Sequence, residues 1–270
     1  MRANSKPAHL TKRNAETFQL PDVVANYHLR TPYPAGLAER LQQLIAPAGG
    51  KVVELGCGTG EIARMLAPHV ERVDAIDISS AMLDKARMLP GGDHPAIKWV
   101  LGTAEDVALD PPFALAVAGD SLHWMEWEIV LPKLSRALAP GAPLAIVSAG
   151  AQQPPWADAL WEIIKRYSTM QDFEQYNLLD QLRRRHLFEP LGEDTVGREA
   201  FDRTVDEYID ALHATASFPR ERMEPENSDA FDVAVRRLVE PFADGGILHL
   251  AASARVEWGL PLFGKAEDEA

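Results

Sequence analysis

Three features of this 270-residue chain predict an α/β fold, a mostly parallel sheet wound with helices on both faces. An apolar run, Val52-Val53-Glu54-Leu55, breaks into glycines at every second position, Gly56, Gly58 and Gly60. A buried strand ends in this way where its loop must approach a ligand closely. A second run, Arg72 to Asp77, ends in an acid 17 residues beyond Gly60. Between the two, Ile62, Leu66 and Val70 recur at helical spacing, giving one buried stripe that crosses back over the sheet and completes a βαβ unit.

The other elements follow in order. Residues 1–20 have no periodic pattern and read as a mobile lead-in. Leu37, Leu41, Leu44 and Ile45 keep helical spacing until Pro47 and Gly49-Gly50 stop them, as breakers do. Ser79 or Ser80 caps a helix to about Leu89, ended by Pro90-Gly91-Gly92. Ile97 to Val100 is the third strand. Phe113 to Ala118 is the fourth, apolar throughout as a strand covered on both faces should be. A helix over Ile129–Leu138 leads to a fifth strand, Leu144 to Ser148. Trp156 to Tyr167 and Phe173 to Leu187 are expected as lid helices, Val196 to Thr204 as strand six, and Val205–Ala216 and Asp229–Phe242 as further helices. Pro219 to Asn227 is the one long loop expected, and Ile247 to Trp258 the last, antiparallel strand. The whole is a Rossmann-like, seven-stranded sheet with a helical lid. Residues 21–270 form one domain, with a cap over 21–50, a core over 51–150 and lid insertions within 151–245.

Composition narrows the function. Hydrophobic residues at 46% and charged residues at 25% are ordinary for a globular protein. No stretch approaches the roughly 18 uninterrupted apolar residues of a membrane helix, and the polar N-terminus is followed by no apolar signal core, so a cytoplasmic protein is expected. A net charge of −13 disfavours nucleic acid, whose phosphates bind Lys and Arg. The one basic cluster, Arg183-Arg184-Arg185-His186, fits a helix end. The single cysteine, Cys57, allows no intrachain disulfide. Eight histidines with neither H-E-x-x-H nor H-x3-H spacing imply no metal.

The glycine spacing narrows it further. A dinucleotide loop reads G-x-G-x-x-G, with helix N–H groups freed for a pyrophosphate; here the glycines alternate and Glu54 lies two residues before the first. An acid at the distance of Asp77 is placed to bind ribose hydroxyls.

This stretch resembles motif I, E/D-x-G-x-G-x-G, of the class I S-adenosylmethionine-dependent methyltransferases. Further matches follow in order. Tyr27…Arg30…Pro32-Tyr33-Pro34 resembles the Y…R-P-x-Y-P lead-in of the trans-aconitate methyltransferase-like group, with one residue fewer between tyrosine and arginine. Gly102-Thr103-Ala104-Glu105 resembles G-D-A-E, with Thr103 in place of the aspartate, and Gly119 to Trp127 resembles a strand-four exit with its H-W pair. The resemblance implies S-adenosylmethionine as cofactor and a small-molecule methyl acceptor, O-methylation of a carboxylate or phenol foremost. It implies a cofactor site of Tyr27, Arg30, Glu54, Gly56, Cys57, Gly58, Gly60, Asp77, Ile78, Met82, Thr103, Ala104, Glu105 and Gly119. Tyr33, His123 and Trp124 would face the substrate. His123 is open between general base and structural histidine, and Cys57 reads as a small side chain beside the ligand rather than a nucleophile. Trp156, Trp161, Phe173 and Tyr176 are open between a substrate face and core.

Rival readings have partial signatures. Gly119-Asp120-Ser121-Leu122 spells the GDSL hydrolase signature, and Asp210 to His213 supplies D-x-x-H, but the serine block follows the fourth strand instead of the first. A nicotinamide dehydrogenase would want the other glycine spacing. A cofactor-binding accessory protein without turnover shares every motif. Neither the acceptor nor the oligomeric state is legible.

Overall fold

The computed structural model describes residues 6–45, 49–151, 153–170 and 172–264. Pro47, the expected helix stop, and the first five residues of the lead-in lie outside them. The helices are α1 (Lys12–Ala15), α2 (Pro21–Asn26), α3 (Gly36–Gln42), α4 (Glu61–Leu66), α5 (Ser80–Met88), α6 (Trp127–Ala137), α7 (Ala157–Tyr167), α8 (Leu178–Arg184), α9 (Val205–His213) and α10 (Pro225–Val239). The strands are β1 (Val52–Leu55), β2 (Val73–Asp77), β3 (Ile97–Leu101), β4 (Leu115–Gly119), β5 (Leu144–Ala151), β6 (Phe188–Thr204) and β7 (Ile247–Pro261).

They form one seven-stranded sheet in the order β3-β2-β1-β4-β5-β7-β6. β1 to β5 pair in parallel, and β7 runs antiparallel to both β5 and β6. The expected fold class is the one observed. β1 and β2 are buried at every position, because helices cover both faces of the parallel part. One core holds Val53, Leu55, Phe113 and α6 residues such as Trp127 and Leu131. The other holds Leu37, Leu41, Ile62, Leu66 and Val117. Local signals place the helices that carry the site: the Ser79 hydroxyl accepts the Met82 N–H at 3.2 Å and starts α5, while Thr204 and Glu207 form a reciprocal capping box that starts α9.

Four expectations are corrected. Phe173 to Leu187 is not one helix: Asn177 caps α8 by accepting the Asp180 N–H, so the helix begins only at Leu178. Strand six begins at Phe188, eight residues before Val196, and bulges at Pro190/Gly192 and Gly197/Glu199 hide it by breaking the alternation twice. Pro219 to Asn227 is not one loop, since Arg220–Arg222 is a 3-10 turn and Pro225 opens α10. Residues 6–20, expected to be mobile, are docked: Leu10 is buried in the main core and the Lys6 ammonium donates to the Trp124 and Met125 carbonyls at 3.1 and 2.9 Å. α7, α9 and α10 pack on one another around Trp156, Ile209, Phe231 and Val235, a third core beside the sheet.

Candidate active site

The crevice outside the carboxyl ends of the strands, where ligands of doubly wound sheets bind, holds two cavities. The first, about 510 Å³, lies over the glycine loop, within the usual range for small-molecule sites of about 300–1,000 Å³. Gly56 and Gly60 have φ of +67° and +68°, and a Cβ would stand 2.6 Å from the Ser121 Cβ at Gly56 and 2.2 Å from the Trp99 ring at Gly60. Only glycine fits this loop on both counts. The Asp77 carboxylate fixes the loop from beneath, accepting the Gly58 N–H at 2.7 Å and the Ser79 N–H at 2.8 Å. Burial raises its pKa, against these N–H groups, which lower it. A carboxylate has about four acceptor sites, so Asp77, which also receives the Ile78 N–H, keeps capacity for a ligand hydroxyl. Lys133 ties the far wall, donating to the carbonyls of Ala104, Glu105 and Val107. Six carboxylates, Glu16, Asp77, Glu105, Asp106, Asp120 and Glu126, face this cavity against one cation among the described residues, Lys12. Such a lining favours a cationic ligand and repels a pyrophosphate.

The second cavity, about 660 Å³, shares only Tyr27 and Asp120 with the first. Arg30, Arg64 and Arg203 line it with Glu61, Tyr33, Tyr208 and Phe201. Arg203 donates to the Leu29 and Arg30 carbonyls at 3.0 and 3.3 Å and so holds the lead-in segment in place. Arg30 donates to the Tyr27 hydroxyl at 3.1 Å. Asp120, in a left-handed conformation with φ of +48°, points its carboxylate at the Ala149 N–H, 3.1 Å from Oδ2, and receives the Tyr33 hydroxyl at 3.4 Å.

The family model for the methyltransferase domain matches residues 52–141, the stretch that builds the glycine loop, Asp77 and the wall from Thr103 to Glu126. The chain carries a class I S-adenosylmethionine-dependent methyltransferase domain. An uncharacterized methyltransferase of Mycobacterium tuberculosis is 32% identical over 139 residues, covering 51% of this chain and 54% of the relative. A trans-aconitate 2-methyltransferase of Paracidovorax citrulli is 36% identical over 140 residues, covering 45% of this chain and 52% of the relative. The chain thus spans about half the length of the curated relatives it matches. A solved structure from Anaeromyxobacter dehalogenans, assigned as a type II methyltransferase, superposes with a TM-score of 0.61 over 86% of this chain and 99% of that one, at 24% identity; this likeness shows the fold.

Within the methyltransferase domain and its lead-in, Tyr27, Gly56, Gly58, Asp77, Ile78, Met82, Thr103, Ala104, Glu105 and Gly119 face the first cavity. Trp124 also faces that cavity, not the second. Arg30 and Tyr33 face the second. Gly60, Cys57 and Glu54 lie behind the wall. Gly60 is the N-cap of α4, the Cys57 thiol is buried, and the Glu54 carboxyl accepts the Ala63 N–H while its Oε2 is buried without a partner among the described residues. The Thr103 hydroxyl donates to Asp106 at 2.8 Å and accepts that residue's N–H, so its proton and one of its two lone pairs are already engaged.

His123 faces neither cavity. Its ring lies 4.7 Å from that of Trp124 and makes no hydrogen bond among the described residues. Desolvation, then the charges of Arg30, Lys6 and His9, push its pKa down to about 4. A base that weak, off the cavity wall, does not fit the proton-accepting role the sequence left open. Sequence reasoning missed Asp120, Glu61, Arg64 and Arg203. Asp120 sits directly after Gly119 at the strand exit, a signal that was available; Arg203 comes from β6, too distant in sequence to connect.

The hydrolase reading loses its geometry. The Ser121 hydroxyl donates to the Leu55 carbonyl at 2.5 Å, under the glycine loop. His213 is fully buried elsewhere, between the Phe218 carbonyl and Asp232, both at 2.6 Å. Ser121→Ala is expected to cost about 1–3 kcal/mol of stability by leaving that buried carbonyl unpaired, and to leave background cleavage of an activated ester unchanged. Thermal melts and an ester assay check both; a Ser121-dependent burst of esterase product would restore the triad.

Proposed function

We propose that the protein is an S-adenosylmethionine-dependent methyltransferase that moves a methyl group in line to an oxygen of a small-molecule acceptor, a carboxylate or a phenol, and that residues 21–270 act as one domain with α7, α9 and α10 as its lid. The observation that carries this reading is the pair of cavities meeting at Tyr27 and Asp120. Two reactants held on either side of one wall are brought into attack geometry, and orientation of that kind replaces about 7–11 kcal/mol of barrier. The bound cofactor supplies an electrophilic methyl on a sulfonium and leaves as a neutral thioether. The chain supplies the rest. The acidic first cavity suits a ligand of net positive charge, Asp77 suits its ribose, and the lid packed beside α2 excludes water. Relatives named trans-aconitate 2-methyltransferase and the arginines of the second cavity support a carboxylate acceptor. Its aromatic lining, Tyr27, Tyr33, Phe201 and Tyr208, supports a phenol. The second cavity also argues against a mere cofactor-binding accessory, which needs no acceptor chamber.

Titration calorimetry tests the first step. S-adenosylmethionine is expected to bind and a nicotinamide dinucleotide is not. Asp77→Ala is expected to weaken binding by about 10- to 100-fold, since a hydrogen bond to a charged group contributes about 1.5–3 kcal/mol and the Gly58 N–H loses its anchor as well. Preference for the dinucleotide would overturn the assignment, and unchanged affinity in a folded variant would remove Asp77 from the site. Methyl transfer from labelled cofactor to a panel of phenols and carboxylic acids then separates enzyme from accessory.

A further inference from the structure

Between the two cavities, beside Tyr27, stands one carboxylate to which the sequence assigned no role. Asp120 lines both of them, directly after Gly119 at the end of β4. Its backbone is fixed by the N–H bond to the Val147 carbonyl at 2.9 Å. Its carboxylate is fixed by two donors on the same oxygen: Oδ2 accepts the Ala149 N–H and the Tyr33 hydroxyl. Oδ1 has no partner among the described residues and is not a buried orphan, so it is open to the cavities. A left-handed aspartate is uncommon, and conformations of this kind cluster where a side chain must be aimed. Tyr33 is itself placed by its N–H, which donates to Glu61 at 2.9 Å. Gly119 leaves the space its ring needs, because a Cβ there would stand 2.6 Å from the Tyr33 hydroxyl.

We propose that Asp120 is the catalytic base of this methyltransferase, accepting through Oδ1 the proton of an acceptor hydroxyl, with Tyr33 as its positioning residue. The proposal rests on the methyltransferase reading and narrows the acceptor to one that arrives protonated, a phenol or other hydroxyl, in the second cavity. The balance is closed: the acceptor oxygen forms the bond to the sulfonium methyl, the carbon–sulfur bond breaks with its pair on sulfur, and the hydroxyl proton passes to Asp120 and then to water. The groups facing Asp120 are Arg30, Tyr27 and Tyr33. Burial raises the Asp120 pKa above the ordinary carboxylate value, opposed by Arg30, the Ala149 N–H and Tyr33. That shift strengthens it as a base.

The experiment is methyl transfer from S-adenosylmethionine to phenols and to carboxylates, with kcat and KM followed against pH for wild type, Asp120→Asn and Tyr33→Phe. Asparagine is isosteric and tolerates the left-handed backbone, and melting temperature verifies the fold. With a phenol, Asp120→Asn is expected to lower kcat by about 10²- to 10⁴-fold at little-changed cofactor affinity, and to abolish the acid limb that wild type shows as Asp120 loses its proton. Tyr33→Phe is expected to lower kcat less and to move that limb without removing it. Wild-type turnover of phenols by Asp120→Asn overturns the proposal. Turnover of carboxylates alone, unslowed in the variant, overturns it too and leaves the methyltransferase reading standing. Failure of the wild type to bind S-adenosylmethionine removes the reading beneath it.

Discussion

Gly60→Ala is expected to unfold the glycine loop and abolish measurable cofactor binding. Two costs combine at this position. A φ of +68° costs an L-residue about 1–2 kcal/mol. A methyl group 2.2 Å from the Trp99 ring forces an overpacking adjustment of about 1–3 kcal/mol. Trp99 cannot simply swing away, because its indole N–H donates to the Gly92 carbonyl at 3.0 Å and its ring packs on the core. Gly60 also caps α4 and its carbonyl accepts the Arg64 N–H, so a shift there passes along the helix that lines the second cavity. Gly141→Ala separates the two costs: its φ is +81° with nothing within 4 Å of the added Cβ, so it should lose the conformational part alone. Chemical denaturation of both variants, with calorimetry of the cofactor, reads the difference. Equal losses in the two would mean that Trp99 yields freely and the loop is not closely packed.

How much of this was legible beforehand depends on sequence distance. The βαβ unit announces itself because strand, glycine turn, helix and acid are consecutive, and each obeys a local rule. Asp77 was placed from spacing alone, and in the structure it lies on the cavity wall. β6 was half missed because its bulges interrupt the period that betrays a strand. The docking of residues 6–20 was missed for another reason: it rests on single contacts, Leu10 into the core and Lys6 onto two carbonyls, which leave no periodic trace. His123 shows the limit most clearly. Its motif neighbour Trp124 does face the first cavity, but a 3-10 turn over Leu122–Trp124 points consecutive side chains in different directions. Sequence adjacency therefore carried the tryptophan and not the histidine.

The second cavity was illegible for the same physical reason on a larger scale. Its wall takes Tyr27, Arg30 and Tyr33 from the lead-in, Glu61 and Arg64 from α4, Asp120 from the turn after β4, and Phe201, Arg203 and Tyr208 from β6 and α9. β6 and α9 lie far from the glycine motif in sequence, although Glu61 and Asp120 directly follow Gly60 and Gly119. What brings them together is the antiparallel β6–β7 ribbon, which returns along β5 and delivers α9 over α2. The first cavity is walled largely by the consecutive motif stretches, whereas the second also needs β6 and α9, which only folding brings to the lead-in residues Tyr27, Arg30 and Tyr33.

Glu54→Gln is expected to stabilise the protein relative to wild type by an amount that grows with pH. The Glu54 carboxyl is buried under the loop with one unpartnered oxygen among the described residues, and desolvation pushes its pKa up to about 8, with Asp77 and Glu61 adding to the rise and the Ala63 N–H and Arg64 opposing it. Cys57 and Tyr33 also sense its charge. In the unfolded chain the same group titrates near the ordinary value of about 4.3. Between those two values the native state holds a proton that the unfolded state has lost, so native stability falls as pH rises through the window and the full penalty is present above about pH 8. Glutamine keeps the shape and cannot ionise. The stability difference between variant and wild type should therefore be smallest near pH 4 and widen toward pH 8. Each pH unit separating the folded and unfolded titrations contributes about 1.4 kcal/mol, so the widening is on the order of a few kcal/mol. Groups that do not sense the Glu54 charge titrate alike in both proteins and cancel in the difference. Denaturant unfolding of the pair at pH 5, 6, 7 and 8 reads it directly. Parallel curves would show that Glu54 is already ionised in the native state, and that a cation or water within the fold satisfies the oxygen now without a partner.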